Sequence, residues 1–338
     1  MSTPKVSVLL PCYNAGETLE ETLASIASQT YPDYEIIAVD DGSTDGSPEM
    51  LSRWAETDSR MKIISMEHGG VIAAANAGLQ ACRGDYIARM DADDRMHPDR
   101  LQMQADHLDV HPDTGVVSSL VAGLGKIRQG FQIYLAWLNS LVTDEQIRRE
   151  MFVESPIANP SAMFRRRLLA QHGHYREHGW PEDYDFWLRL YLAGVKFAKV
   201  PEVLLEWRDN PGRLTRADRR YSLENFIRAK AHYMLQGPLK GRDAVIVWGA
   251  GMIGRRFSKY LVWAGQPLAA FIDVDPKKIG RTRRGRPVCH YEQLPGLWAR
   301  YENPVILAAV GARGARLLIR EALTGMGFEE GRDWWGVA

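Results

Sequence analysis

Tyr86-Ile87-Ala88-Arg89-Met90-Asp91-Ala92-Asp93-Asp94 is an apolar run that closes on three carboxylates. The run reads as a buried strand, which places the acidic group at its carboxyl end. Three like charges so close together are costly unless a cation joins them. Hard oxygen donors at a strand end suit Mg²⁺ or Mn²⁺ carrying a diphosphate. This stretch therefore points to an α/β sheet with a nucleotide site on its rim.

The sequence on its amino-terminal side agrees. Val6 to Leu10, Ile36 to Val39 and Lys62 to Ile64 read as strands, separated by helical patterns. In the first helix Leu19, Leu23 and Ile26 share a face, and Asn14 with Glu17 has the spacing of a capping box. Ser47-Pro48 suits a helix start, and the Ala-rich run Ile72 to Ala81 a third helix. Such strand–helix alternation predicts a mostly parallel sheet with right-handed crossovers. Ligands of these sheets lie beyond the carboxyl ends of the strands. Pro11 to Asn14, Asp40-Asp41 and Asp91 to Asp94 all fall there.

The chain of 338 residues favours about two domains. Its apolar fraction of 45% and charged fraction of 25% are those of a soluble globular protein. A formal net charge of zero argues against a nucleic-acid binder that neutralises many phosphates. Cys12, Cys82 and Cys289 show no CxxC spacing and read as reduced thiols of a cytoplasmic protein. No signal-peptide pattern and no run long enough for a membrane span stand out, and peripheral contact with a membrane stays open.

From about residue 116 the pattern is irregular. A long helix is expected over Ile133 to Met151, and apolar helical spacing follows Glu182-Asp183-Tyr184-Asp185. Trp207 to Arg220 is polar, Arg-rich and expected to be a mobile loop. Near Gly237 to Gly241 the strand–helix order restarts. Ala244 to Trp248 reads as a strand, Gly249-Ala250-Gly251-Met252-Ile253-Gly254 as a turn into a helix, and Phe271-Ile272 as a strand ending in Asp273. Val305 to Val310 is a further strand, followed by a helix from Ala315. Two domains are expected, residues 1–240 and 241–338.

Pro11-Cys12-Tyr13-Asn14, Gln29-Thr30-Tyr31, Asp40-Asp41-Gly42-Ser43-Thr44-Asp45, Asp91-Ala92-Asp93-Asp94 and Glu182-Asp183-Tyr184-Asp185 occur in that order. Together they closely resemble the family 2 glycosyltransferases of GT-A fold, over roughly residues 4 to 215. The resemblance implies an inverting enzyme that moves a sugar from a nucleotide-diphosphate donor, with Mg²⁺ or Mn²⁺, to a glycan or lipid-linked acceptor. It implies a donor site containing Pro11, Tyr13, Asn14, Glu17, Asp40, Asp41 and Asp91. Within it Tyr13 and Asp40 contact the base, and a uridine donor suits a single carboxylate accepting the imide N–H; thymine presents the same edge. Asp91 would lie near the ribose and the metal, and Asp93 would be the main metal ligand. Asp183 resembles the general base, with Glu182 beside it. Where many relatives carry a His after an aromatic–Arg pair, this chain has Asp209-Asn210 after Trp207-Arg208. Arg208, Arg213 and Arg216 are then the candidates for the diphosphate. Ala75 also stands where many relatives have Arg before the equivalent of Asn76.

The carboxyl-terminal segment resembles the Rossmann-like amino-terminal domain of sugar O-acyltransferases, through Gly249-Ala250-Gly251, Phe271-Ile272-Asp273 and Ala309-Val310-Gly311. That resemblance implies a nucleotide-sugar ligand, with NAD as an alternative, near Gly249, Gly251, Gly254 and Asp273. The glycines read equally well as devices for close helix–strand packing. Glu182-Asp183 has a second reading as an acidic pair favouring a helix dipole. The basic run Arg281 to Arg286 reads as a solvated loop. Two other functions fit parts of the pattern. A sugar nucleotidyltransferase would share the sheet and acidic site, but Pro11 to Glu17 lacks the Lys or Arg that holds a triphosphate. A non-catalytic nucleotide-sugar sensor would use the second domain. Oligomeric state has no signature in the sequence.

Overall fold

The computed structural model describes residues 3–210, 213, 216 and 218–338. They form two compact units. The first comprises Met1–Arg148, Pro156–His178 and Glu182–Ala217, and the second Arg149–Ser155, Gly179–Pro181 and Asp218–Ala338.

The first unit is built on β1 (Val6–Cys12), β2 (Tyr34–Asp40), β3 (Met61–Ser65), β4 (Tyr86–Arg89), β5 (Arg95–Met96), β6 (Thr114–Leu124), β7 (Met163–Arg165) and β8 (Lys196–Arg208). Their order in the sheet is β3-β2-β1-β4-β7-β6-β8-β5. β1 pairs parallel with β2 and β4, and β2 with β3. β1, β2 and β4 are buried along their whole length, as expected of strands covered on both faces. The register sets Cys12 opposite Asp40 and Leu9 opposite Arg89, which brings the polar clusters to one rim. Leu10, Ile36, Ala38, Met90, Leu101 and Val117 belong to one continuous core.

Beyond β4 the sheet departs from simple alternation. β7 runs antiparallel to both β4 and β6, whereas the long strands β6 and β8 pair parallel. β8 escapes a periodicity reading because Lys199, Pro201 and Glu202 interrupt its apolar residues. The register shifts between Ser119 and Val121 of β6, opposite this part of β8. Lys199 itself is buried, donates to the Leu138 carbonyl at 2.5 Å, and has its amine pushed down to about 7 by burial.

Other expectations need correction. The helix expected over Ile133 to Met151 is two helices, Gln129–Asn139 and Asp144–Glu150. The second has its own capping box: Thr143 Oγ1 accepts from Gln146 N at 3.3 Å, and Gln146 Oε1 accepts from Thr143 N at 3.0 Å. The first helix of the chain starts at Leu19, with no side-chain cap, so Asn14 and Glu17 do not form one. Of the stretch expected to be a mobile loop, Trp207 and Arg208 end β8, and residues 211, 212, 214, 215 and 217 lie outside the described residues.

In the second unit β9 (Ala244–Trp248), β10 (Leu268–Asp273), β11 (Thr282–Arg283), β12 (Arg286–His290), β13 (Pro304–Ala308) and β14 (Trp334–Gly336) form a sheet of order β11-β12-β10-β9-β13-β14. All pairings are parallel except the β11–β12 hairpin. The strand order reverses between β9 and its two neighbours, which is where Rossmann-type sheets open a crevice. The long segment of this unit, Asp218–Ala338, includes the helix Leu223–Gln236, which packs on the helix Met252–Trp263. The unit also takes in Glu150, which pairs with Arg320 at 2.9 Å and Arg316 at 3.3 Å.

Candidate active site

The loop after β1 lies against the loop after β2. Asn14 is one of two non-glycine residues with positive φ among the described residues, at 48°. Its side chain accepts from Thr44 N at 2.9 Å, and its own N–H donates to Ser43 Oγ at 3.0 Å. Ala15 N donates to Ser47 Oγ and Gly16 N to Asp45 Oδ2, both at 2.9 Å. Asn suits this left-handed position because a short polar side chain compensates it locally. These bonds hold Tyr13 outward, 47% exposed, with His68 stacked on its ring at 4.0 Å and 22°. His68 carried no role in the sequence. It sits beside Tyr13 only because β3 brings the following loop to the same rim. Pro11 is buried in β1, and Glu17 is exposed at the end of the loop.

The adjacent carboxylates at the end of β2 differ in duty. Asp40 Oδ1 accepts from Ser43 N at 3.2 Å. Asp41 is fully engaged: Oδ1 accepts from Gly69 N at 2.8 Å, Oδ2 from Gly70 N at 2.9 Å, and His68 Nδ1 lies 2.9 Å from Oδ2. Asp41 thus holds the 68–70 loop in place, whereas Asp40 retains capacity for a ligand.

One carboxylate oxygen from each of Asp91, Asp93 and Asp94 lies within 4.8 Å of the others. Thr22 Oγ1 fixes their loop by donating to the carbonyls of Ala92 at 3.0 Å and Asp94 at 2.8 Å. Gln29 fixes the segment beyond, through His97 O at 2.7 Å and Leu101 N at 3.0 Å. Burial, with Asp91 nearby, pushes the Asp93 carboxyl up to about 6, although Arg213 and Arg208 oppose the shift. Asp94 is wholly buried and is raised well above the usual carboxylate range by burial and by Asp93 and Asp91. Its Oδ1 accepts from Arg208 N at 2.8 Å, and its Oδ2 has no hydrogen-bond partner among the described residues. A buried orphan oxygen among three mutually repelling carboxylates fits a divalent cation with oxygen ligands.

Arg89, missed in the sequence, joins this cluster to the second acidic pair. It is 3% exposed and ion-paired with Asp91 at 2.6 Å, and Glu182 is also among the charges that raise its pKa. A charge inside an apolar strand demands such a partner, so the signal was present. Arg100, also fully buried, donates to Arg89 O at 2.9 Å, and burial pushes its guanidinium down to about 9 against the pull of Asp94. Asp183 is the second residue of the helix Glu182–Leu192. Its Oδ1 accepts from Tyr184 N at 2.7 Å, and burial, then Glu182, then Asp91 raise its carboxyl far above the usual range. Burial pushes the Tyr175 hydroxyl up, Arg89 opposes the shift and Asp183, Glu182 and Asp91 add to it, and Asn76 clamps its backbone through bonds of 3.0 and 3.1 Å. Groups about a hundred residues apart in sequence thus share one electrostatic environment.

The three arginine candidates separate. The Arg208 guanidinium is engaged by Glu21 and by the Asp93 carbonyl at 2.7 Å. Arg216 pairs with Asp209. Arg213 lies over Trp207 at 4.2 Å and Phe131 at 4.7 Å, and its charge reaches both Asp93 and Asp94. Arg213 is therefore the better placed of the three.

The second unit has a separate cavity of about 710 Å³, bordered by Gly249, Gly251, Asp273, Tyr291, Val310 and Leu318 among others. Gly249 has φ 117°, and a Cβ there would meet the Ala309 carbonyl at 2.7 Å. A Cβ on Gly254 would lie 1.8 Å from the Gly249 carbonyl, so this glycine serves helix–strand packing. Asp273 turns inward: Oδ2 accepts from Ala250 N at 2.9 Å, and Lys278 pairs with it at 3.2 Å. Only Gly249, Gly251 and Asp273 of the four expected residues line the cavity.

Residues 7–173 match the family described as Glycosyl transferase family 2. An uncharacterized glycosyltransferase of Haemophilus influenzae is 32% identical over 61% of this chain and 65% of its own length. The putative glycosyltransferase EpsE of Bacillus subtilis is 33% identical over 67% of this chain and 81% of its own. Among solved structures, S. aureus TarS 1-349 in complex with UDP-GlcNAc superposes with a TM-score of 0.55 at 20% identity, over 76% of this chain and 71% of that one. The likeness to TarS shows a shared GT-A fold, and the sequence identity to EpsE over most of its length shows the family. The chain belongs to glycosyltransferase family 2.

Proposed function

We propose that the protein is an inverting, metal-dependent glycosyltransferase that moves a sugar from a nucleotide-diphosphate donor, UDP-linked in the first instance, to a hydroxyl of a surface glycan or lipid-linked acceptor. The observation that carries this reading is the gathering of Asp91, Asp93 and Asp94, with Asp91 ion-paired to Arg89 and its charge reaching Asp183. Tyr13 offers an exposed ring for the base, and Asp40 an acceptor for its imide N–H. Asp93 and Asp91, with Asp94 adjoining, are the residues to hold a divalent cation. Such an ion supplies charge neutralisation for the leaving diphosphate. Arg213 adds positive charge on the same side.

Asp183 takes the proton of the acceptor hydroxyl as that oxygen attacks the anomeric carbon. The bond from this carbon to the diphosphate oxygen breaks on the opposite face, and the configuration inverts. A raised pKa suits the task, because a stronger base is better matched to a hydroxyl proton. Calorimetric titration of the full chain with UDP, with and without Mn²⁺, tests the reading. Metal-dependent binding that Asp93→Ala abolishes is expected. Binding that ignores both the metal and Asp93 defeats it, and pyrophosphate release from a nucleoside triphosphate would favour a nucleotidyltransferase. A cytoplasmic enzyme working at the inner membrane face fits a lipid-linked acceptor.

The cavity at the strand-order reversal of the second unit supports a second reading, a nucleotide-class ligand, nucleotide-sugar or NAD, near Gly249 and Gly251. UDP binding that survives Asp93→Ala, and NAD titration of the same variant, test it.

A further inference from the structure

Charge is unevenly distributed. The whole chain has a formal charge of zero, yet residues 251–290 contain nine Lys and Arg against two Asp. Both acids are engaged locally, since Lys278 lies 3.2 Å from Asp273 and 3.4 Å from Asp275. The fold collects much of this charge on one face. The helix Met252–Trp263 buries Gly254, Phe257, Ser258 and Leu261. Its outward residues include Arg255 and Arg256, with Lys259 half-buried. Interleaved with them are Met252, Val262 and Trp263, exposed by 52%, 44% and 71%. Met252, Arg256, Lys259 and Trp263 follow i, i+4, i+7, i+11 spacing and so form one stripe along the helix.

The β11–β12 hairpin extends this face. Its turn holds Arg284 at φ 48° and Gly285 at φ 71°. A non-glycine residue in that conformation is strained unless its surroundings hold it. Arg284 is held by the helix: Nη2 donates to Arg255 O at 2.8 Å and Nε to Ser258 Oγ at 3.1 Å. Exposed Arg281 and Arg286 flank it in sequence. Glu224 faces the stripe, pairing with Lys259 at 3.3 Å, and its charge also reaches Arg256, while Arg255 and the hairpin arginines lie beyond these two contacts. The Lys259 ammonium lies 4.5 Å from the centroid of the Trp263 ring.

We propose that this helix-and-hairpin face docks on a membrane surface bearing anionic lipid headgroups. Trp263, Val262 and Met252 enter the headgroup layer while the arginines meet the phosphates. Charge alone would serve a nucleic acid equally. The exposed apolar residues among the cations favour the lipid, because an interfacial helix gains from burying them and a polyanion offers them nothing. Tryptophan in particular suits the headgroup level.

The test is co-sedimentation of the full chain with phosphatidylcholine vesicles, alone or with about 30% phosphatidylglycerol, an anionic fraction sufficient to attract polybasic surfaces. Binding only to the anionic vesicles, weakened by salt, is expected. At roughly fivefold per cation, the Arg255→Glu/Arg256→Glu double variant should bind at least ~25-fold more weakly. Trp263→Ser should weaken binding while leaving the salt dependence intact. An unchanged thermal melt and an unchanged UDP titration establish that the variants are folded. Partition is read without any sugar transfer, so it stands or falls apart from the glycosyltransferase mechanism. Equal binding to neutral vesicles, or indifference to both variants, overturns the proposal. Tight binding to random DNA without vesicle binding assigns the face to a polyanion and overturns it as well.

Discussion

Replacing Asp183 by Asn should separate catalysis from stability in opposite directions. The Asn side chain keeps an oxygen to accept from Tyr184 N, now 2.7 Å from Asp183 Oδ1, so the start of its helix is preserved. The base is lost, and general-base contributions of 10²–10⁴ in rate set the scale of the expected fall in kcat. Donor affinity should stay within about twofold, since the substitution touches neither Asp40 nor the metal-ligating group. Stability should rise. Burial and Glu182 raise the folded-state pKa of Asp183. Above the unfolded carboxylate pKa the folded chain therefore binds more protons than the unfolded one, and stability falls as pH rises through the window up to the folded pKa. Between the unfolded and folded pKa values each unit of pH costs about 1.4 kcal/mol of stability, which Asn recovers. In a unit of this size 1 kcal/mol corresponds to roughly 2–4 °C in Tm. The wild type should lose activity as pH falls through a pKa well above that of an ordinary aspartate, because the protonated base cannot accept. Steady-state transfer assays and calorimetric melts between pH 5 and 9, for both proteins, measure this. Activity in Asp183→Asn within threefold of wild type would refute the base assignment. An unchanged or lowered Tm at pH 8 would refute the argument from burial.

Three further outcomes follow from other contacts. Arg89→Met leaves Asp91 without its 2.6 Å partner beside Glu182 and Asp183, and should cost about 3–5 kcal/mol by denaturant unfolding together with loss of transfer. Asn14→Ala removes the acceptor for Thr44 N, worth about 1 kcal/mol, and should raise the donor KM roughly fivefold with kcat unchanged; Asn14→Gly, which accepts the positive φ, should restore part of it. Gly254→Ala forces a Cβ to within 1.8 Å of the Gly249 carbonyl and should lower the melting of the second unit by about 1–3 kcal/mol or more, whereas Mn²⁺-dependent UDP binding by the first unit persists.

The order of β1 to β4 and the gathering of Tyr13, Asp40 and Asp91 to Asp94 on one rim were legible in the sequence. Buried parallel strands are continuous apolar runs, and a polar cluster ending each run can only lie at the strand's carboxyl end. The same held for β9, the glycine turn and Asp273. Local chemistry alone was enough at these places, because the residues concerned are neighbours along the chain.

What the tertiary structure decided are the matters that depend on distant partners. β8 is a strand because β6 pairs with it, despite Lys199 and Pro201. Asp40 and Asp41 are indistinguishable as letters, yet only Asp41 meets the amides of Gly69 and Gly70. Arg208 and Arg213 are close in sequence, but Glu21 engages one while Trp207 and Phe131 direct the other toward the acidic group. In a chain of zero net charge, Arg284 folds back onto the helix beginning at Met252 and so joins the basic hairpin to the arginines of that helix. Sequence records which groups are present and their short-range spacing; which carboxylate is satisfied, and which cation is left to meet a ligand, depends on the packing that brings their competitors within hydrogen-bonding distance.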